Sequence, residues 1–93
     1  MDKILLFKLP TCGPCKLLSK LFEQLHISKE DIMLDEDENE ELADKYNVKS
    51  VPTVIVLNNE GEELGRFVGT RTKEQLLEEL KNYEVQSSKK DNL

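Results

Sequence analysis

The chain has 93 residues, 38% of them hydrophobic, with 13 lysines and arginines against 19 aspartates and glutamates, a net charge of −6. That length makes one domain, able to bury somewhat over about 60% of its unfolded surface, and the acidic balance argues against nucleic acid as a partner while favouring neutral or basic partner surfaces. Met1-Asp2-Lys3 leads straight into an apolar stretch without a secretory h-region or cleavage site, and no apolar run approaches the roughly 18 residues of a membrane span. A soluble, cytoplasmic protein with no membrane contact is expected.

Ile4-Leu5-Leu6-Phe7 is an apolar run of strand length, and the only two cysteines follow it in Thr11-Cys12-Gly13-Pro14-Cys15-Lys16. Beyond them Leu17, Leu18, Leu21, Phe22 and Leu25 recur at the 3.6-residue spacing of an amphipathic helix. The cysteine pair therefore opens a helix. Cys12 falls near the N-cap, where unpaired backbone N–H groups and the helix dipole favour an anion, and the nucleophilic form of cysteine is an anion. Pro14 suits the first turn, where its missing N–H removes no intrahelical bond, and Gly13 lets a partner backbone approach the sulfur.

Other uses of two cysteines fit less well. A structural zinc ion needs four ligands, and His26 is the only histidine the chain could add. A purely structural disulfide closing so short a ring contributes about 2 kcal/mol of loop-closure entropy, less than a long-range bridge. In a reducing compartment a lone Cys-x-x-Cys is more often catalytic than structural. Thiol–disulfide exchange carries most of the weight, beside a scaffold that has kept the thiols without turnover.

After a polar connection at residues 26–30, Asp31-Ile32-Met33-Leu34 reads as a second strand. The acidic run over residues 35–41 precedes Leu42, Ala43 and Tyr46 at helical spacing, with Asp37 and Glu40 placed as a capping box and Asn47 as a left-handed cap. Val51-Pro52-Thr53-Val54-Ile55-Val56-Leu57 is a β-branched strand whose proline marks its beginning. A turn at residues 58–61 returns the chain over residues 64–68 as an antiparallel strand, with Gly65 at a bulge. Thr72 and Gln75 form another capping-box pattern, ahead of a helix whose apolar face is Leu76, Leu77, Leu80 and Tyr83. Residues 86–93 read as a frayed polar tail, leaving residues 1–85 as the domain. The order β-α-β-α-β-β-α implies an α/β fold with a four-stranded mixed sheet and helices on both faces.

Cys12-Gly13-Pro14-Cys15-Lys16, then Val51-Pro52-Thr53 before a β-branched strand, then Gly69 after the last strand, together resemble the thioredoxin family over residues 3–84. The resemblance implies a minimal thioredoxin fold, lacking the family's extra N-terminal strand and helix. It implies that Cys12 attacks a substrate disulfide and Cys15 resolves the mixed disulfide. It also implies a cis Pro52 facing the cysteines, although only about 5–6% of X–Pro bonds are cis, with the Val51 backbone free to pair with an extended substrate. Thr11, Gly13, Pro14, Val51, Pro52 and Gly69 are the substrate-binding residues so implied. Disulfide-bearing proteins would be substrates, a thioredoxin reductase or similar enzyme the electron donor, and the protein a monomer in electron transport and cell redox homeostasis, with no cofactor or metal.

The chain also departs from that family. Thr11 stands where tryptophan usually precedes the first cysteine, and there is no tryptophan at all. The family's buried aspartate, thought to help deprotonate the resolving thiol, and its lysine partner on the next strand fall at Leu6 and Met33. Loss of both leaves no orphaned buried charge, but it removes a proton acceptor. Lys8, on the strand face of Leu6 and nearer the cysteine loop, is a candidate thiolate stabiliser, as is Lys16 beside Cys15. The alternative to a thioredoxin-like protein disulfide reductase is a glutaredoxin-like, glutathione-coupled enzyme, favoured by the minimal length and by Ser50-Val51-Pro52, with Arg71 to meet a carboxylate; a third reading is a thioredoxin-fold binding module without turnover.

Overall fold

The computed structural model describes residues 3–92, with side chains described for residues 3–83. Strand β1 spans Lys3–Lys8, helix α1 Gly13–Gln24, strand β2 Glu30–Met33, helix α2 Glu40–Lys45, strand β3 Thr53–Leu57, strand β4 Glu63–Val68 and helix α3 Lys73–Asn92. A single 3-10 turn, Asp37–Asn39, leads into α2. Helical backbone continues through residue 92 over most of the expected polar tail, whose side chains lie outside the described residues.

The sheet runs β2-β1-β3-β4, with β1 parallel to β2 and antiparallel to β3, and β3 antiparallel to β4. The continuous apolar runs in β1 and β3 occupy the two central places, because a strand covered on both faces needs apolar residues at every position. Alternation then splits them between two cores. Ile4, Leu6, Val54 and Val56 pack with Leu18 and Phe22 of α1 and Leu76 and Leu80 of α3, whereas Leu5, Phe7, Ile55 and Leu57 pack with Ile32 and the apolar side of α2.

Local chemistry terminates the helices. His26 (φ 56°) follows α1 and Asn47 (φ 54°) follows α2, both left-handed. Each makes a Schellman closure: His26 N–H donates to the Glu23 carbonyl and Ile27 N–H to that of Phe22, while Asn47 N–H donates to Asp44 and Val48 N–H to Ala43. The expectation for Asn47 holds; His26 carried no comparable signal, since histidine seldom adopts this conformation. Thr72 and Gln75 form the expected reciprocal cap of α3, at 3.1 and 3.2 Å.

Other expectations need correction. Asp37 and Glu40 form no capping box: Asp37 opens the 3-10 turn and no side chain caps α2, while Asn39 Nδ2 donates to the Met33 carbonyl at 2.9 Å. Strand β2 begins at Glu30 and ends at Met33, one residue ahead of expectation. Leu17 and Leu77 are 60% and 44% exposed. Both sit about 100° around their helices from the lines Cys15–Leu18–Phe22 and Leu76–Leu80 that touch the sheet. In the β3–β4 ladder Val56 faces Gly65 and Leu57 faces Glu63, so the extra bulge residue is Leu64, directly before Gly65.

Candidate active site

Strand β1 delivers the chain to the first turn of α1. Cys12 N–H donates to the Leu9 carbonyl at 3.2 Å, closing the turn between strand and helix, and Cys12 is the N-cap of α1 in extended conformation (φ −82°, ψ 108°). Its Sγ accepts a hydrogen bond from the Cys15 amide at 3.1 Å, while Pro14 occupies the first turn and no carboxylate stands there. Sulfur thus sits where an N-cap oxygen normally accepts, a position that favours its anionic form.

Cys12 and Cys15 are disulfide-bonded, with Cα atoms 5.2 Å apart. Their environments differ. Cys12 is partly open, whereas Cys15 is 1% exposed, on the side of α1 that packs on the sheet. Cys12 therefore presents more of its surface to another molecule than Cys15 does.

The sheet register gathers the remaining motif residues at the same end. Phe7 pairs with Thr53 and Thr53 with Val68, so the exit of β1, the start of β3 and the exit of β4 lie side by side. The Val51–Pro52 bond is cis and Pro52 is buried. Gly69 N–H donates to the Pro52 carbonyl at 2.9 Å, and Thr53 Oγ1 braces the loop from below by donating to the Ser50 carbonyl at 2.8 Å. Val51 is half-buried and takes part in none of the turn and loop backbone hydrogen bonds among the described residues. Thr11, Gly13 and Pro14 are exposed beside Cys12.

Leu6 is fully buried, and its register partner on β2 is Asp31, whereas Met33 pairs with Lys8. The two positions matched to the family's aspartate and lysine are therefore not opposite one another. A polar cluster stands nearby on the α1 side of the sheet: Lys8 Nζ lies 3.3 Å from Asp31 Oδ2 and 3.5 Å from Ser19 Oγ, and Lys29 Nζ lies 2.6 Å from Asp31 Oδ1. Burial pushes the Asp31 carboxyl up, but the hydrogen bond and charge of Lys29 and the charge of Lys8 outweigh it and hold the group below its usual range. Ser19 is four residues beyond Cys15, one helical turn along the same side of α1. No motif marks Asp31 or Ser19 as a site residue: the β1–β2 pairing brings Asp31 to Lys8, and the packing of α1 on the sheet brings Ser19 there.

Lys16 is exposed. Arg71 is engaged within the chain: Nε donates to Glu79 Oε1 at 3.0 Å, Nη1 donates to the Thr70 carbonyl at 2.9 Å, and the guanidinium lies 4.4 Å from the Phe67 ring centroid. Among the described residues no group of three or more His, Cys, Asp or Glu side chains is placed to hold a metal ion, and no helix is long and apolar enough to cross a membrane.

A protein-family model described as Thioredoxin matches residues 2–82. The chain is 42% identical over 76 residues to thioredoxin of Bacillus subtilis (strain 168), covering 77% of this chain and 72% of that one. It is 39% identical over 74 residues to the SPbeta prophage-derived thioredoxin-like protein YosR of the same organism, covering 77% and 90%. Among solved structures, thioredoxin 1 of Thermosipho africanus TCF52B superposes with a TM-score of 0.65 at 27% identity, covering 98% of this chain and 99% of that one.

Proposed function

The chain belongs to the thioredoxin family and is a thiol–disulfide oxidoreductase, a protein disulfide reductase, and we propose that Cys12 is its attacking thiol and Cys15 its resolving thiol. One observation carries this assignment: the partly open sulfur caps a helix while its disulfide partner is buried behind it. In the reduced protein the Cys12 thiolate attacks one sulfur of a substrate disulfide, the substrate S–S bond breaks, and one substrate thiolate leaves. Cys15 then loses its proton and its thiolate attacks Cys12 Sγ. The mixed disulfide breaks, the Cys12–Cys15 bond forms, and the second substrate thiolate departs. Two electrons and two protons pass to the substrate, so the protein must be re-reduced by a two-electron donor, for which a thioredoxin reductase is the fitting class in a reducing cytoplasm.

The same reading makes Thr11, Gly13, Pro14, Val51, Pro52 and Gly69 the surface on which substrate docks. Unengaged Val51 backbone groups would pair with an extended segment as a short added strand. Residues 1–85 would form the catalytic domain of a monomer. Lys8, whose ammonium reaches Ser19 one turn beyond Cys15, is assigned to stabilise a thiolate through space, and Lys16, adjacent to Cys15 in the chain, to add to the same field.

Trapping tests the order of attack. Incubated with a protein disulfide, Cys15→Ser should accumulate a covalent conjugate that reductant releases, and Cys12→Ser should form none and reduce nothing. A conjugate on Cys12→Ser, or undiminished activity in it, would overturn the assignment.

A further inference from the structure

Beside the redox site, between α1 and the start of α3, runs a groove of about 400 Å³ lined by Leu17, Leu21, Lys20, Arg71 and Lys73 among others, with no carboxylate in its lining. It begins at Thr70, the residue after Gly69, and at Leu17, two positions after Cys15, so it continues the end of the sheet where the cysteines open. Leu17 is 60% exposed. Among the described residues neither Lys20 nor Lys73 has an ion-pair partner, while Arg71 is held by Glu79.

The placing of charge makes this groove distinctive. The chain carries a net charge of −6 and crowds acids into residues 35–41, yet the groove presents two unpaired ammonium groups around leucine side chains. Such a strip complements a segment that carries carboxylates next to an apolar residue. Resting on the reductase reading above, we propose that this groove selects its substrates: it binds an acidic, partly apolar stretch flanking the disulfide of the protein being reduced. Leu17 and Leu21 would cover the apolar residue, and Lys20 and Lys73 would meet the carboxylates.

The test compares peptides that share one intramolecular disulfide and one flanking leucine and differ only in two neighbouring residues, Glu-Glu, Gln-Gln or Lys-Lys, with dithiothreitol as electron donor. At low salt kcat/KM should favour the Glu-Glu peptide over the Lys-Lys peptide by about three- to tenfold, two exposed charge pairs being modest each. The ratio should shrink towards one in 0.5 M salt, and it should invert in Lys20→Glu/Lys73→Glu. Equal rates at low salt, or a preference that survives the double substitution, would overturn the proposal. A dimer seen by sedimentation in the parent and absent in the double variant would assign the groove to a second copy of the chain instead, which also overturns it. Reduction of the small neutral bis(2-hydroxyethyl) disulfide, measured in parallel on the unaltered protein, reports on the reductase reading alone and keeps the two failures apart.

Discussion

The amide of Gly69 donates to the carbonyl of Pro52 at 2.9 Å, fastening the exit of β4 to the loop that starts β3. Gly69 makes that bond at φ 90°, where L side chains are strained, although a Cβ there would meet no atom within 4 Å. The strain is therefore purely of the backbone. Gly69→Ala should cost on the order of 1–3 kcal/mol, read from urea denaturation. A variant as stable as the parent would mean that the loop does not hold this conformation in solution.

Restoring the family's acid should harm this chain. Leu6 is fully buried among Ile4, Leu18, Phe22 and Val54, and its register partner is already the carboxylate Asp31. Leu6→Asp should destabilise by roughly 3–5 kcal/mol at neutral pH. Burial raises the new carboxyl's folded pKa above its unfolded value of about 4, so the folded state binds the extra proton and stability should fall as pH rises from 5 to 8. Urea midpoints at the two pH values that coincide would contradict this.

Lys8 and Asp31 make a paired prediction about the thiols. Removing the cation in Lys8→Met should raise the reactive thiol's pKa and slow disulfide reduction at pH 7 by roughly two- to threefold. Asp31→Asn, which frees the Lys8 ammonium from its carboxylate, should move the thiol pKa the other way. Titrating thiolate absorbance in both variants checks the signs; no movement in either removes Lys8 from the mechanism.

Acid sensitivity should follow from two carboxylates. Asp31 is held low by Lys29 and Lys8 against its burial, and Glu63 by a forked hydrogen bond from Arg66, 2.7 Å on each arm, against a smaller burial. With folded pKa values below the unfolded ones, the unfolded chain binds more protons. Their contribution is complete above about pH 5 and is lost as pH falls through 4 and below. The urea midpoint should decline over that window, and Asp31→Asn should make the decline shallower.

Gly65 seats Tyr83. A Cβ at position 65 would overlap the Tyr83 ring, including its hydroxyl oxygen. Gly65→Ala should cost about 1–3 kcal/mol, and combining it with Tyr83→Ala should cost less than the sum of the two. Additive costs would show that the ring and the glycine are not in contact.

The redox centre was legible because its chemistry is local. A cysteine pair spaced to open a helix, a proline ahead of a β-branched run and a capping pair at Thr72 and Gln75 each act within a few residues, so the linear order of side chains states them. The unbroken apolar runs of β1 and β3 were equally plain as strands, although their central places came only with the sheet order. Tertiary packing decided the rest. Strand pairing brought Pro52, Gly69 and the cysteines to one end of the sheet and set Leu6 opposite Asp31 rather than Met33, while the seating of the helices on the sheet carried Ser19 to Lys8 and left Leu17 and Leu77 facing outward. Those relations join residues far apart in the chain, and their partners are selected by register and by the rotation of each helix on the sheet, neither of which any local run of residues encodes.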